Sequence, residues 1–139
     1  FMSLPGATKE GAKLHIAFIL ATRGIPQLYY GEEILMTGGH DPENRKDFPG
    51  GFPGDSVNKF TNEGRTADER EMFEETKIWI GLRKKFEALK SGRTVDLHYG
   101  EKTYVFARQS KTEQIVIGLN KSNESDYVKF DAKILGIKG

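Results

Sequence analysis

Residues 24–55 read GIPQLYYGEEILMTGGHDPENRKDFPGGFPGD, a short apolar run that ends in two adjacent carboxylates and opens into a polar loop rich in glycine and proline. Ile25 to Tyr30 is continuously apolar rather than alternating, which predicts a strand buried on both faces, as in a parallel sheet. Such a strand needs helices on either side of it, and the flanking sequence offers them. Thr8 is placed to cap a helix through AKLHIAFILATR, and Arg23, Gly24 and Pro26 form a stop signal. Because Ile16 to Ala21 is apolar almost all round, this helix is expected to lie sandwiched between layers. The more ordinary reading of His15, a boundary histidine with a satisfied ring nitrogen, is preferred to a catalytic one.

Helix, buried strand, long loop and helix in that order suggest the rim of an α/β barrel, where the loop after a strand's carboxyl end carries function. Glu32 and Glu33 stand at that strand end. Each is a candidate for supporting a site and equally for fixing the loop by ion pairing. From Leu35 to Gly64 no regular pattern appears, and a loop of that length is functional or disordered. Phe48, Phe52, Val57 and Phe60 argue against disorder, since apolar groups at this density need burial or a ligand. His40, Asp41, Glu43, Asn44, Arg45 and Asp47 offer the guanidinium, carboxylate and amide groups that read sugar hydroxyls. A calcium loop is disfavoured by the spacing and by Arg45 and Lys46 in its midst. A solvated connector is the bland alternative.

Thr66-Ala67-Asp68-Glu69 is a capping box, and the helix it opens carries Met72, Phe73, Thr76, Trp79, Ile80, Phe86 and Leu89 at helical spacing. Ser91-Gly92 is expected to end it, with a bend possible at Gly81. Beyond Gly92 the period changes to two. Val95–Tyr99, Thr103–Gln109, Gln114–Asn120 and Asp126–Phe130 read as strands joined by short connections, hence antiparallel neighbours. Tyr104 and Phe106 are assigned to one face, and Ile115, Ile117 and Leu119 to another. Four strands would leave open edges, and the chain stops at Ile137-Lys138-Gly139 without providing a partner layer, so a missing C-terminal piece is expected.

Composition narrows the function classes. With 21 basic and 20 acidic residues the chain carries a net charge of +1, which gives no bulk attraction to nucleic acid or anionic lipid. The absence of cysteine removes thiolate metal sites and a cysteine nucleophile, and the three histidines are scattered. Neither Gly38-Gly39 nor Gly50-Gly51 follows a phosphate-loop spacing, so no nucleotide cofactor is expected, nor a bound metal. Apolar runs fall far short of a membrane span. Phe1-Met2 reads as the middle of a longer frame.

These motifs carry a resemblance. GIPQLYYGEE is similar to the last barrel strand of the alpha-amylase family of glycoside hydrolases, HDPENR resembles the sugar-contacting loop that follows it, and KDFPGGFPGD looks like the neopullulanase and cyclomaltodextrinase form of that loop. The resemblance implies an α/β plus β fold: residues 1–90 as the last helix-strand-helix part of a (β/α)8 barrel, and 91–139 as the start of an incomplete antiparallel β-sandwich. It implies that Asp41 and Arg45 contact glucose units on the non-reducing side of the cut, and that Tyr30 and Glu33 support the site floor beside Glu32. Where relatives continue into Pro-Met-Pro-Trp, this chain has Asp47-Phe48-Pro49-Gly50, which shifts any aromatic role to Phe48 or Phe52. The family's catalytic carboxylates belong to motifs absent from these residues. The expected partner is therefore an alpha-glucan or maltooligosaccharide in a parent enzyme that hydrolyses alpha-1,4 bonds with retention, while this chain alone is expected to be inactive. A non-catalytic sugar-binding module and a structural fragment prone to self-association are the alternatives.

Overall fold

A computed structural model describes residues 1–136 of the chain. Expectations that fall on Ile137, Lys138 and Gly139 lie outside the described residues. Helix α1 spans Lys9–Ala21, α2 Ala67–Lys85 and α3 Glu87–Ser91, followed by strands β1 Arg93–Tyr99, β2 Thr103–Gln109 and β3 Gln114–Asn120. Short 3₁₀ turns occupy Glu32–Ile34, Glu43–Arg45 and Ala132–Leu135. Two compact units divide the chain, residues 1–16 with 27–78 and residues 17–26 with the remainder from 79 onward. No helix among the described residues is long and apolar enough to cross a membrane.

In the first unit, α1 begins as its sequence dictates, with the Thr8 hydroxyl accepting from the Gly11 amide at 3.0 Å. The capping box also forms: the Thr66 amide donates to Glu69 Oε2 at 2.7 Å and the Glu69 amide to Thr66 Oγ1 at 3.3 Å. Lys9 Nζ reaches Asp68 Oδ1 at 2.7 Å and Glu71 Oε2 at 2.6 Å, while Lys13 binds Glu71 Oε1. The hydrogen bond from Lys13, then that from Lys9, lowers the Glu71 carboxyl to about 2. A carboxyl depressed in the folded state adds stability above its ordinary range near 4.5, and that contribution disappears as pH falls through about 2. Glu71→Gln should therefore erase part of the chain's loss of thermal stability between pH 5 and about pH 2. A melting-temperature profile in acid identical to that of the wild-type chain would refute it.

The second unit is built on a three-stranded antiparallel sheet in the order β1-β2-β3. Tyr104 faces Leu119, Phe106 faces Ile117 and Arg108 faces Ile115 across β2 and β3. Directly opposed residues in an antiparallel pair share a face. The two apolar sets assigned to separate faces in the sequence reading thus belong to one, and with Ala21, Leu89 and Trp79 they form the core. Phe106 is wholly buried there.

Other expectations fail. Residues 25–30 form no strand and Ile25 is 97% exposed, because no neighbouring strand supplies a hydrogen-bonded ladder. Asp126–Phe130 is also irregular. The Asp126 carboxylate accepts from Thr103 Oγ1 and from the Tyr127 amide, a local arrangement in place of a fourth ladder. Helix α1 buries a stripe of Ala12, Ile16, Ala17, Leu20 and Ala21 but leaves Phe18 exposed, so it is not covered all round. The second long helix passes Gly81 unbroken and stops at Phe86, whose backbone is extended at φ −102° and ψ 121°.

The end of α1 is held differently from the sequence signal. The helix closes at Ala21, leaving Arg23 beyond it, while Gly24 takes a left-handed φ of 103°. Its free carbonyls are taken up by distant arginines. Arg83 donates to Leu20 O, Thr22 O and Gly24 O at 2.7, 3.0 and 2.6 Å. Arg108 donates to Ala21 O at 2.9 Å and to Gly92 O at 2.8 Å. Two cations thus sit at the negative end of a helix, where both the orphan carbonyls and the dipole favour them.

Candidate functional site

The polar loop begins at a turn that only a glycine fits. Gly31 has φ 87°, and a Cβ on it would lie 2.7 Å from Met36 Cβ. Its carbonyl accepts from the Ile34 and Met36 amides, which folds Glu32–Ile34 into a 3₁₀ turn. Glu32 is thereby turned towards α1, with Oε1 3.9 Å from His15 Nε2. The histidine in turn stacks on Phe1 at 5.2 Å between centroids. Glu33 is half-buried in the same turn.

Tyr30 ties the turn to the loop beyond it. Its hydroxyl donates to Lys46 O at 2.9 Å, and its ring packs 4.7 Å from that of Tyr29. Desolvation, then the hydrogen bond with Tyr29, raises the Tyr30 phenol above its ordinary range, so it remains a donor. Tyr29, Tyr30, Glu32, Thr37 and Asn44 line a cleft of about 360 Å³ with a mostly polar surface. That volume is in the range of small-ligand sites.

Asp41 and Arg45 come together one turn apart, Arg45 Nη2 lying 2.7 Å from Asp41 Oδ1. Their side chains are 61% and 67% exposed, so the pair presents both a carboxylate and a planar guanidinium to solvent. An exposed pair of this kind contributes little to stability. Its hydrogen-bonding capacity remains largely open to a polyhydroxylated ligand.

The segment from 48 to 65 is irregular but tightly braced. Asp55 Oδ2 accepts from the Gly50 and Phe52 amides at 2.7 and 3.1 Å, and the Lys59 amide donates to Pro49 O at 2.9 Å. Arg65, 8% exposed, donates from Nε to Lys59 O at 2.8 Å and from Nη2 to Phe60 O at 3.0 Å. Its guanidinium carbon lies 3.6 Å above the Phe73 ring. Lys59 Nζ meets the capping carboxylate of Glu69 at 2.5 Å. Partial burial raises the Glu69 carboxyl, but Lys59 and the Thr66 amide outweigh it and hold the group below its usual range. The Phe48 and Phe60 rings pack in a tilted arrangement with centroids 4.5 Å apart, and Phe52 stands 57% exposed.

The structure therefore joins Asp41 to Arg45, and Tyr30 to the backbone of Lys46, while Glu32 is directed at His15 and Phe48 is partly covered by Phe60. Arg65 was not singled out from the sequence. An arginine that braces a loop by donating to carbonyls has no local signature; the nearest clue is its place directly before the Thr66 capping box. Among the described residues, no group of three or more His, Asp or Glu side chains converges as a metal site would.

No family model matches the chain. It is 33% identical over 126 residues to a cyclomaltodextrinase of Geobacillus thermopakistaniensis, a match that covers 89% of this chain and 19% of that protein. Among solved structures, the debranching enzyme of Nostoc punctiforme superposes with a TM-score of 0.73 at 27% identity, covering 91% of this chain and 23% of that one. An alpha-amylase of Geobacillus thermoleovorans, solved in complex with acarbose, gives a TM-score of 0.70 at 26% identity, with 90% of this chain and 24% of that chain covered. Helix, braced loop, helix and antiparallel sheet are thus a region of the glycoside hydrolase architecture. The chain belongs to the alpha-amylase family, and its relatives there include cyclomaltodextrinases, cyclomaltodextrin glucanotransferases and debranching enzymes. It spans between 15% and 20% of the length of the curated relatives that match most of the chain.

Proposed function

We propose that this chain forms the sugar-gripping part of an enzyme that cleaves alpha-1,4-glucosidic bonds with retention. Residues 1–90 would be the closing helix-strand-helix portion of its (β/α)8 barrel, and 91–139 the opening of its C-terminal β-sandwich. The strandless backbone at 25–30 and the exposed Ile25 and Phe18 are what a barrel strand and its helix present when the neighbouring strands are not beside them.

The observation that carries the reading is the exposed Asp41–Arg45 pair, on a loop whose next residue, Lys46, is fastened by Tyr30. A sugar bridging the pair gains charge-assisted hydrogen bonds to groups already fixed in register. Tyr30 holds the loop and Glu32 and Glu33 shape its floor, while Phe48 supplies apolar backing. Retaining hydrolysis needs a nucleophile and an acid/base carboxyl roughly 5 to 5.5 Å apart. Glu32 is turned to His15 and Asp41 is occupied by Arg45, so neither is assigned that role.

The test is calorimetry of the 139-residue chain with maltohexaose, with product analysis on the same sample. Saturable binding without released sugar is expected, and Arg45→Ala or Asp41→Ala should weaken it on the order of tenfold, the cost of one hydrogen bond to a charged group. Unchanged affinity in both variants would remove the pair from the site. Turnover by the chain would overturn the assignment of chemistry to other parts of the enzyme.

A further inference from the structure

From the geometry of residues 48–65 we infer that Phe60, with Phe48 behind it, is a preorganised stacking platform for the apolar face of a hexopyranose ring; this rests on the sugar-gripping reading above. Phe60 is 59% exposed although its backbone is fixed from both sides. Its amide donates to Asn58 Oδ1 at 2.9 Å and its carbonyl accepts from Arg65 Nη2 at 3.0 Å. Arg65 is itself buried against Phe73 on α2. The ring is further held by Phe48, whose centroid is 4.5 Å away at an interplanar angle of 42°. Phe48 is the more covered of the two.

An exposed aromatic normally costs solvation without return, and a chain can leave it on a loose loop. Here a buried arginine, an asparagine and a second aromatic combine to hold it outward. Fixing a ring before the ligand arrives removes the ordering cost from binding. The size of the patch selects the occupant. Phe60, Phe52 and Val57 are exposed in a loop whose one other apolar side chain is the half-buried Phe48 and which is otherwise glycine, proline and polar residues, far fewer than the roughly 20 residues a side that a stable protein interface engages. One or two aromatic rings match the apolar face of one or two sugars, whose hydroxyls are left to polar partners or to solvent.

The decisive experiment titrates the 139-residue chain with maltohexaose, following the aromatic carbon–proton NMR signals of Phe60 and the dissociation constant by calorimetry. The Phe60 ring signals are expected to shift on saturation. Phe60→Leu, which keeps apolar bulk but removes the π face, should weaken binding about tenfold with the amide spectrum otherwise retained, and Phe60→Trp should bind at least as tightly as wild type. Binding that survives Phe60→Leu undiminished but falls with Arg45→Ala would overturn the platform and leave the sugar-gripping reading standing. No binding by the wild-type chain would overturn both.

Discussion

Replacing Arg108 with methionine should destabilise the 139-residue chain by about 2–4 kcal/mol, read as a lowered urea midpoint at unchanged slope. Arg108 is 1% exposed near the end of β2, with no carboxylate among its hydrogen-bond partners. Its charge is offset by the carbonyl end of α1 through Ala21 O and by Gly92 O. Replacing a complete buried ion pair with apolar groups is often neutral, because the desolvation cost of both partners is removed together. Here the second partners are backbone carbonyls, which no side-chain substitution removes. Methionine would leave both unpaired, at about 1–3 kcal/mol each. Against that stands one gain, since Arg108 Nε has no partner and its burial cost is relieved. Arg108→Lys should recover part of the loss, because an ammonium lacks the rigid fork that spans two separate carbonyls. A methionine variant within about 0.5 kcal/mol of wild type would show that the two carbonyls find other donors.

What the sequence revealed follows the range of the interaction involved. The Thr8 cap, the Thr66 capping box and the three strands from Arg93 to Asn120 are encoded by residues within a few positions of one another, and all form. The strand expected at 25–30 has the right composition, but a strand exists only with a neighbour. Similarly, alternation places Ile115 and Ile117 on one face of their own strand without saying which face of Phe106 they share; only the register does that. The Asp41–Arg45 pair was legible because four residues on a short turn bring side chains together. The roles of Arg65, Arg83 and Arg108 were not. Each donates to main-chain carbonyls, Arg83 and Arg108 across tens of residues, and every residue offers a carbonyl, so nothing in the acceptor's identity marks the partner.

Two glycines, neither with a positive φ, should respond to alanine in opposite directions. Gly81 lies in the exposed run of α2, and a Cβ there meets nothing within 4 Å. Gly81→Ala should stabilise the chain by about 0.5–1 kcal/mol through helix propensity alone. At Gly64 an ideal Cβ would stand 1.7 Å from Asn58 O and 2.5 Å from its carbonyl carbon, an overlap with main chain rather than with the end of a side chain. The backbone of the loop must move. Overpacking costs about 1–3 kcal/mol and more where a braced segment cannot yield, and this one is held by Asp55, Lys59 and Arg65 at once. Asn58 also fixes the Phe60 amide, so the displacement is transmitted to the exposed ring. Gly64→Ala should therefore lower the urea midpoint, shift the amide resonances of residues 58–60 and weaken maltohexaose binding together, while Gly81→Ala raises the midpoint and leaves binding alone. If Gly64→Ala destabilised the chain but bound maltohexaose with wild-type affinity, the loop's bracing would serve the fold only, and the orientation of Phe60 would have no part in gripping the sugar.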